Sequence, residues 1–123
     1  MDKQRFTASV VPGSKRGRTL GFPTLNLSLN EIPSDLKHGI YACFVEFEDS
    51  GCLPAVMHYG PRPVFADTLS CEIYVIDRVI TSPPQKLHVS VMNRIRDIKS
   101  FPLSGMLEEQ IKSDIDVAKR ILS

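Results

Sequence analysis

Apolar residues keep a period of two along most of this chain and change to a helical period only near its end. Phe6 to Val11, a short run containing β-branched residues, predicts a first strand. Thr24 to Leu29 alternates, with Leu25, Leu27 and Leu29 opposite Thr24, Asn26 and Ser28, as in a strand with one buried face. Gly39 to Phe47 is almost continuously apolar and predicts a strand buried on much of both faces. Glu48 to Gly51 forms the turn after it, and Leu53 to Met57 the return strand of a hairpin. Cys71 to Ile76 alternates again, with Cys71, Ile73 and Val75 on one face and Glu72, Tyr74 and Ile76 on the other. Leu87, Val89 and Val91 mark a further strand, with His88 and Ser90 facing away.

The intervening stretches carry breaker residues. Asn30 to His38 reads as a loop with room for one helical turn, His58 to Phe65 as a rigid proline-punctuated loop, and Arg78 to Gln85 as a connection holding Pro83 and Pro84. The period then lengthens: Leu107, Ile111, Ile115, Ala118 and Leu122 predict an amphipathic helix over Ser104 to Leu122, with Ser104 as its N-cap. Short, turn-separated strands followed by one helix predict a mostly β fold, a small antiparallel barrel closed by a C-terminal α-helix. Closure of this kind also removes exposed strand edges.

Composition narrows the class. With 123 residues, 42% hydrophobic and 24% charged, the chain is expected to be a single globular domain over 1–123 with a real core. No repeat, low-complexity tract or linker interrupts it. A net charge of +1 provides no global attraction to nucleic acid or an anionic membrane. Cys43, Cys52 and Cys71 form no Cys-x-x-Cys pair and leave an odd count, which points to a reducing compartment rather than a disulfide framework. No apolar run is long enough to span a bilayer and Met-Asp-Lys-Gln-Arg-Phe carries no signal core, so a cytoplasmic monomer is the expectation.

The candidate chemistry sits in Gly13 to Asn26. Gly13, Gly17 and Gly21 surround the basic side chains of Lys15, Arg16 and Arg18. Glycines let backbone amides close on an anion, and Lys and Arg add charge to phosphate. Thr24 and Asn26 are hard oxygen donors two residues apart, so on an extended segment both point the same way and suit Mg²⁺. No Gly-Lys-Ser/Thr run opens a helix, so this is not a P-loop. Taken locally, the same residues also describe a solvated loop followed by a turn with an Asx-type hydrogen bond.

The run Gly13-Ser14-Lys15-Arg16-Gly17-Arg18-Thr19-Leu20-Gly21-Phe22-Pro23-Thr24-Leu25-Asn26 resembles the signature of the riboflavin kinases, or flavokinases, whose motif ends in Pro-Thr-Ala-Asn; here Leu25 replaces the Ala. The resemblance continues through Gly39-Ile40-Tyr41-Ala42, Tyr59-Gly60-x-Arg62-Pro63-x-Phe65, Cys71-Glu72-Ile73-Tyr74, Ile95-Arg96-Asp97 with Phe101, and Leu107, Gln110, Ile111 and Asp114. It implies a six-stranded antiparallel Greek-key barrel with a terminal helix, and transfer of the ATP γ-phosphoryl group to the ribityl 5′-hydroxyl of riboflavin, giving FMN. It further implies Glu72 as general base, Thr24 and Asn26 as Mg²⁺ ligands, and a phosphate-covering loop that includes Gly13, Lys15, Arg16, Gly17, Arg18 and Gly21. Arg96 is implied on the substrate side. The kinase domain alone is implied, without the FMN adenylyltransferase domain that precedes it in many bacteria, so FAD synthesis is not expected.

Other readings attach to the same residues. A carboxylate on an alternating strand, such as Glu72, can simply face solvent, and Arg96 can form a surface ion pair. His38, His58 and His88 are dispersed and predict no metal cluster. The sequence departs from the family pattern at His58, Val64, Ile98 and Ser82-Pro83-Pro84, and the resemblance implies that these positions lie largely in loops that shape the flavin side of the site. A barrel that binds flavin or nucleotide without turnover is therefore the alternative function. A barrel for single-stranded nucleic acid is a third, and 7% aromatic residues with a charge of +1 weigh against it.

Overall fold

The computed structural model describes residues 4–12, 24–48, 50–61, 69–99 and 104–123. Its strands are β1 (Gln4–Val11), β2 (Leu25–Leu27), β3 (Gly39–Glu46), β4 (Leu53–Pro61), β5 (Leu69–Val75) and β6 (Lys86–Arg96), followed by the helix α1 (Ser104–Leu122). The six strands close into a barrel in the order β1-β2-β5-β4-β3-β6, every pair antiparallel. This is the six-stranded barrel with a terminal helix expected from the sequence.

Period-two patterning decides which side chains fill the barrel. On β3, Tyr41, Cys43 and Val45 point inward beside Met57, Ile73 and Val89, all buried. Their neighbours Ile40 and Ala42 point outward and are just as buried, because α1 lies over them. Ile115 and Ala118 of α1 meet Ile40, Ala42, Val56 and Ile76 in this second cluster. The near-continuous apolar run of β3 thus reflects two cores, one on each face. Each large apolar side chain so buried contributes about 1.5–3 kcal/mol. Cys43 and Cys71 are free thiols inside the barrel, and burial pushes the Cys71 thiol up to about 12. Among the described residues no helix is long and apolar enough to cross a membrane.

Three local expectations change. His58 to Pro61 is strand rather than rigid loop, because β4 continues along both neighbours: Gly39 pairs with Tyr59, Gly60 with Ser70, and Pro61 with Leu69. Pro61 is accommodated because it is the last residue of its strand. Leu29 does not share the buried face of Leu25 and Leu27: β2 stops at Leu27, a 3-10 turn begins at Leu29, and that side chain is 42% exposed. β6 runs on to Arg96, beyond the predicted apolar positions, through irregularities between Ile40/Tyr41 and Ala42/Cys43 of its partner β3. The predicted cap at Ser104, like Val64, Phe65 and Phe101, lies outside the described side chains.

Candidate functional site

Strand register gathers the predicted residues into one row. Asn26 pairs with Glu72, Glu72 with His58, His58 with Ile40, and Ile40 with Arg96, crossing β2, β5, β4, β3 and β6 in turn. Residues paired directly across antiparallel strands share a face, with Cβ atoms about 5 Å apart. Ile40 belongs to the cluster beneath α1, so the whole row lies on the outer face of the barrel.

Glu72 is half-buried and held by two hydroxyls. Thr24 Oγ1 donates to Oε1 at 3.0 Å, and Ser70 Oγ donates to Oε2 at 2.9 Å. The alternative of a freely solvated Glu72 does not hold in this geometry. A carboxylate offers roughly four lone-pair positions, so each oxygen keeps one for a further donor. Ser70 had no predicted role, although it stands two residues before Glu72 on the same strand face and is only 5% exposed. Period two alone marks that pair.

Thr24, immediately before β2, and Asn26, within it, flank the carboxylate. The Thr24 hydroxyl spends its proton on Glu72, which leaves its oxygen lone pairs for a cation. Asn26, registered opposite Glu72, adds a second neutral oxygen. Two hard oxygens beside a carboxylate form a partial shell that suits Mg²⁺, which usually keeps phosphate oxygens and waters as its other ligands. Gly13, Lys15, Arg16, Gly17, Arg18 and Gly21 lie outside the described residues. The strands on either side of them are described: Val11, the last residue of β1, pairs with Asn26. The last residue of β1 and Thr24, which precedes β2, therefore both lie near Glu72.

His58 is the next position along the row. Its Nε2 lies 2.9 Å from the carbonyl oxygen of Pro61, which can only accept, so Nε2 carries the proton. Nδ1 is then a bare acceptor, buried and without a hydrogen-bond partner among the described residues. Burial holds this imidazole below its usual range; Glu72 pulls the other way and Arg96 adds to the depression.

Arg96 stands at the far end of the row and is already engaged. Its Nε and Nη2 donate to the two carboxylate oxygens of Asp114 in α1 at 2.9 and 2.7 Å, and Nη1 donates to the Asp97 carbonyl at 2.9 Å. The two side chains are 15% and 4% exposed, so this is not the weak surface pair weighed from sequence. Gln110 Nε2 also donates to Asp114 at 3.1 Å. The sequence marked Gln110 and Asp114 as motif positions; their partnership with Arg96 is visible only once α1 is docked.

The chain matches the flavokinase family, described as riboflavin kinase, over residues 2–122. It is 31% identical over 116 residues to the bifunctional riboflavin kinase/FMN adenylyltransferase of Haemophilus influenzae, spanning 94% of this chain and 37% of that protein. Among solved structures, riboflavin kinase from Trypanosoma brucei superposes with a TM-score of 0.66 at 24% identity, covering 99% of this chain and 81% of that one. A Streptococcus pneumoniae protein described as a macrolide-efflux protein superposes with a TM-score of 0.79 at 29% identity, covering 94% of this chain and 38% of that one.

Proposed function

The chain belongs to the riboflavin kinase family, and on that premise we propose that it phosphorylates the ribityl 5′-hydroxyl of riboflavin with MgATP, giving FMN and ADP. The observation that carries this reading is the Thr24–Glu72–Ser70 arrangement, a carboxylate held in place with acceptor capacity to spare and registered opposite Asn26.

Phosphoryl transfer needs positioning, neutralisation of charge, and a group that orients or deprotonates the nucleophile. Glu72 takes the last of these roles, one of its carboxylate oxygens accepting the proton as the substrate hydroxyl oxygen bonds to the γ-phosphorus and ADP departs. Thr24 and Ser70 keep the carboxylate from turning away. Thr24 and Asn26 would hold Mg²⁺, which supplies neutralisation of phosphate charge when bound. Gly13, Gly17 and Gly21, with Lys15, Arg16 and Arg18, would cover the nucleotide phosphates through amides and cationic side chains.

Incubating purified protein with riboflavin and MgATP, beside a reaction lacking metal, and separating the flavins by chromatography tests this directly. Metal-dependent FMN is expected. Saturable quenching of flavin fluorescence without FMN would instead establish a binding module on the same barrel.

A further inference from the structure

β6 leaves the barrel through an irregularity in which Ile40 pairs with Arg96 while Tyr41 pairs with Arg94, so Ile95 is an extra residue. Bulges re-aim the side chains beside them. Here the result is that two arginines grip Asp97. Arg94 Nη2 meets the Asp97 carboxylate at 2.7 Å and donates to the His38 carbonyl at 2.6 Å. It can cross there because Gly39 has no side chain: a Cβ at that position would lie 2.7 Å from Arg94 Nε. Arg96 holds the Asp97 carbonyl and, through both other nitrogens, the buried carboxylate of Asp114. All three nitrogens of Arg96 thus have partners within the protein.

The row also has a direction. Thr24 and Asn26, the metal donors of the proposed function, stand at its β2 end, and in-line transfer requires the accepting hydroxyl to approach from the side opposite the leaving group. Given Glu72 between them, the accepting molecule lies toward His58, Arg96 and α1.

We infer that Arg96 is a positioning residue rather than a substrate ligand: through Asp114 and the Asp97 carbonyl it fixes α1 and the departure of the chain from β6, and so shapes the wall of the site that receives the phosphate acceptor. The identity of that acceptor rests on the riboflavin kinase reading; the geometry of the clamp does not.

A mutant cycle separates the two roles. Arg96→Met and Asp114→Leu each leave one buried charge unpaired, whereas the double variant removes both and keeps apolar bulk, an exchange that cores tolerate. Each single variant is expected to raise the KM for riboflavin by about tenfold or more while the KM for ATP, bound at the other end of the row, changes little. General loosening would move both. The double variant is expected to recover riboflavin affinity, read by flavin fluorescence quenching, to within about threefold of the parent protein. A double variant as weak as Arg96→Met overturns the inference, because only a guanidinium that touches the substrate would be missed after the packing is restored. If the single variants do not fold, comparison of the double variant with the parent decides alone. If the parent protein binds no riboflavin, the kinase reading fails separately. Hydrogen exchange in α1 then reads the same cycle: protection lost in the singles and regained in the double supports the clamp, and protection unaltered throughout overturns it.

Discussion

At the residue scale, Glu72 and His58 divide along the row between chemistry and environment. Glu72 keeps spare acceptor positions while two hydroxyls fix it. Replacing it with Gln retains the shape, removes the proposed base and introduces a donor where Thr24 and Ser70 already donate. FMN formation by Glu72→Gln is expected to fall about 10²- to 10⁴-fold, the range of general-base contributions. Full turnover in that variant would remove the assignment. His58 makes a different prediction. Its folded pKa is depressed below the ordinary 6.5, chiefly by burial, so between the folded and unfolded values the unfolded chain binds the extra proton. Stability from this group is therefore present above about pH 6.5 and is lost as pH falls through the depressed value. His58→Gln retains a donor for the Pro61 carbonyl without titrating. Between about pH 7.5 and 5 its urea midpoint is expected to fall less than that of the parent; parallel falls would exclude His58 as the source.

At the element scale, β4 and α1 do what the local sequence hid. Gly60-Pro61 looks like a loop, yet β4 continues through both residues because Gly60 adopts φ of +144° where strands and connection converge. A Cβ there would meet His38 Cβ and Ile98 Cγ1 at 3.1 Å each. Gly60→Ala therefore combines strain with crowding and is expected to cost about 1–3 kcal/mol, read as a lowered denaturation midpoint. The helix depends on a small residue in the same way. Ala118 is fully buried in the cluster with Ala42 and Val56, so Ala118→Leu is expected to lift α1 from the barrel at a cost of about 1–3 kcal/mol. An unchanged midpoint in Ala118→Leu would mean that α1 is not docked on this face. Helical periodicity announced α1, and the two-sided apolar pattern of β3 announced that something covers the barrel. Which helix face meets which strand depends on residues such as Ala42, Val56 and Ala118, far apart in sequence, and no local pattern carries that information.

At the scale of the whole molecule, what was legible follows from what is local. Strand alternation placed Thr24 and Asn26 opposite the buried leucines and Glu72 opposite Cys71, Ile73 and Val75, and closing the barrel made those faces one, since β2 and β5 are paired neighbours separated by a long stretch of sequence. For Ser70, period two marks only a shared face with Glu72, and a serine on a strand has many ordinary uses; the 2.9 Å bond to Glu72 is what gives it a role. Arg96 was visible as a basic residue in a motif, but its pairing with Asp114 requires the helix to return across the strand it came from. The same long-range assembly makes the site sensitive to ligands as a unit. Residues from β2, β5, β6 and α1 reach their geometry only in the closed barrel, so riboflavin and MgADP should bind the folded state far better than the unfolded chain. At about a hundredfold excess over Kd, each such ligand is worth about 2.7 kcal/mol of stability. Thermal melts should rise with either ligand. In Thr24→Ala/Asn26→Ala, the increment that Mg²⁺ adds to the ADP-induced shift should vanish while the riboflavin shift persists, because the proposed metal donors lie at one end of the row and the proposed acceptor position at the other. Loss of the riboflavin shift in that variant would show instead that the two ends are not separate, and would move the acceptor toward β2.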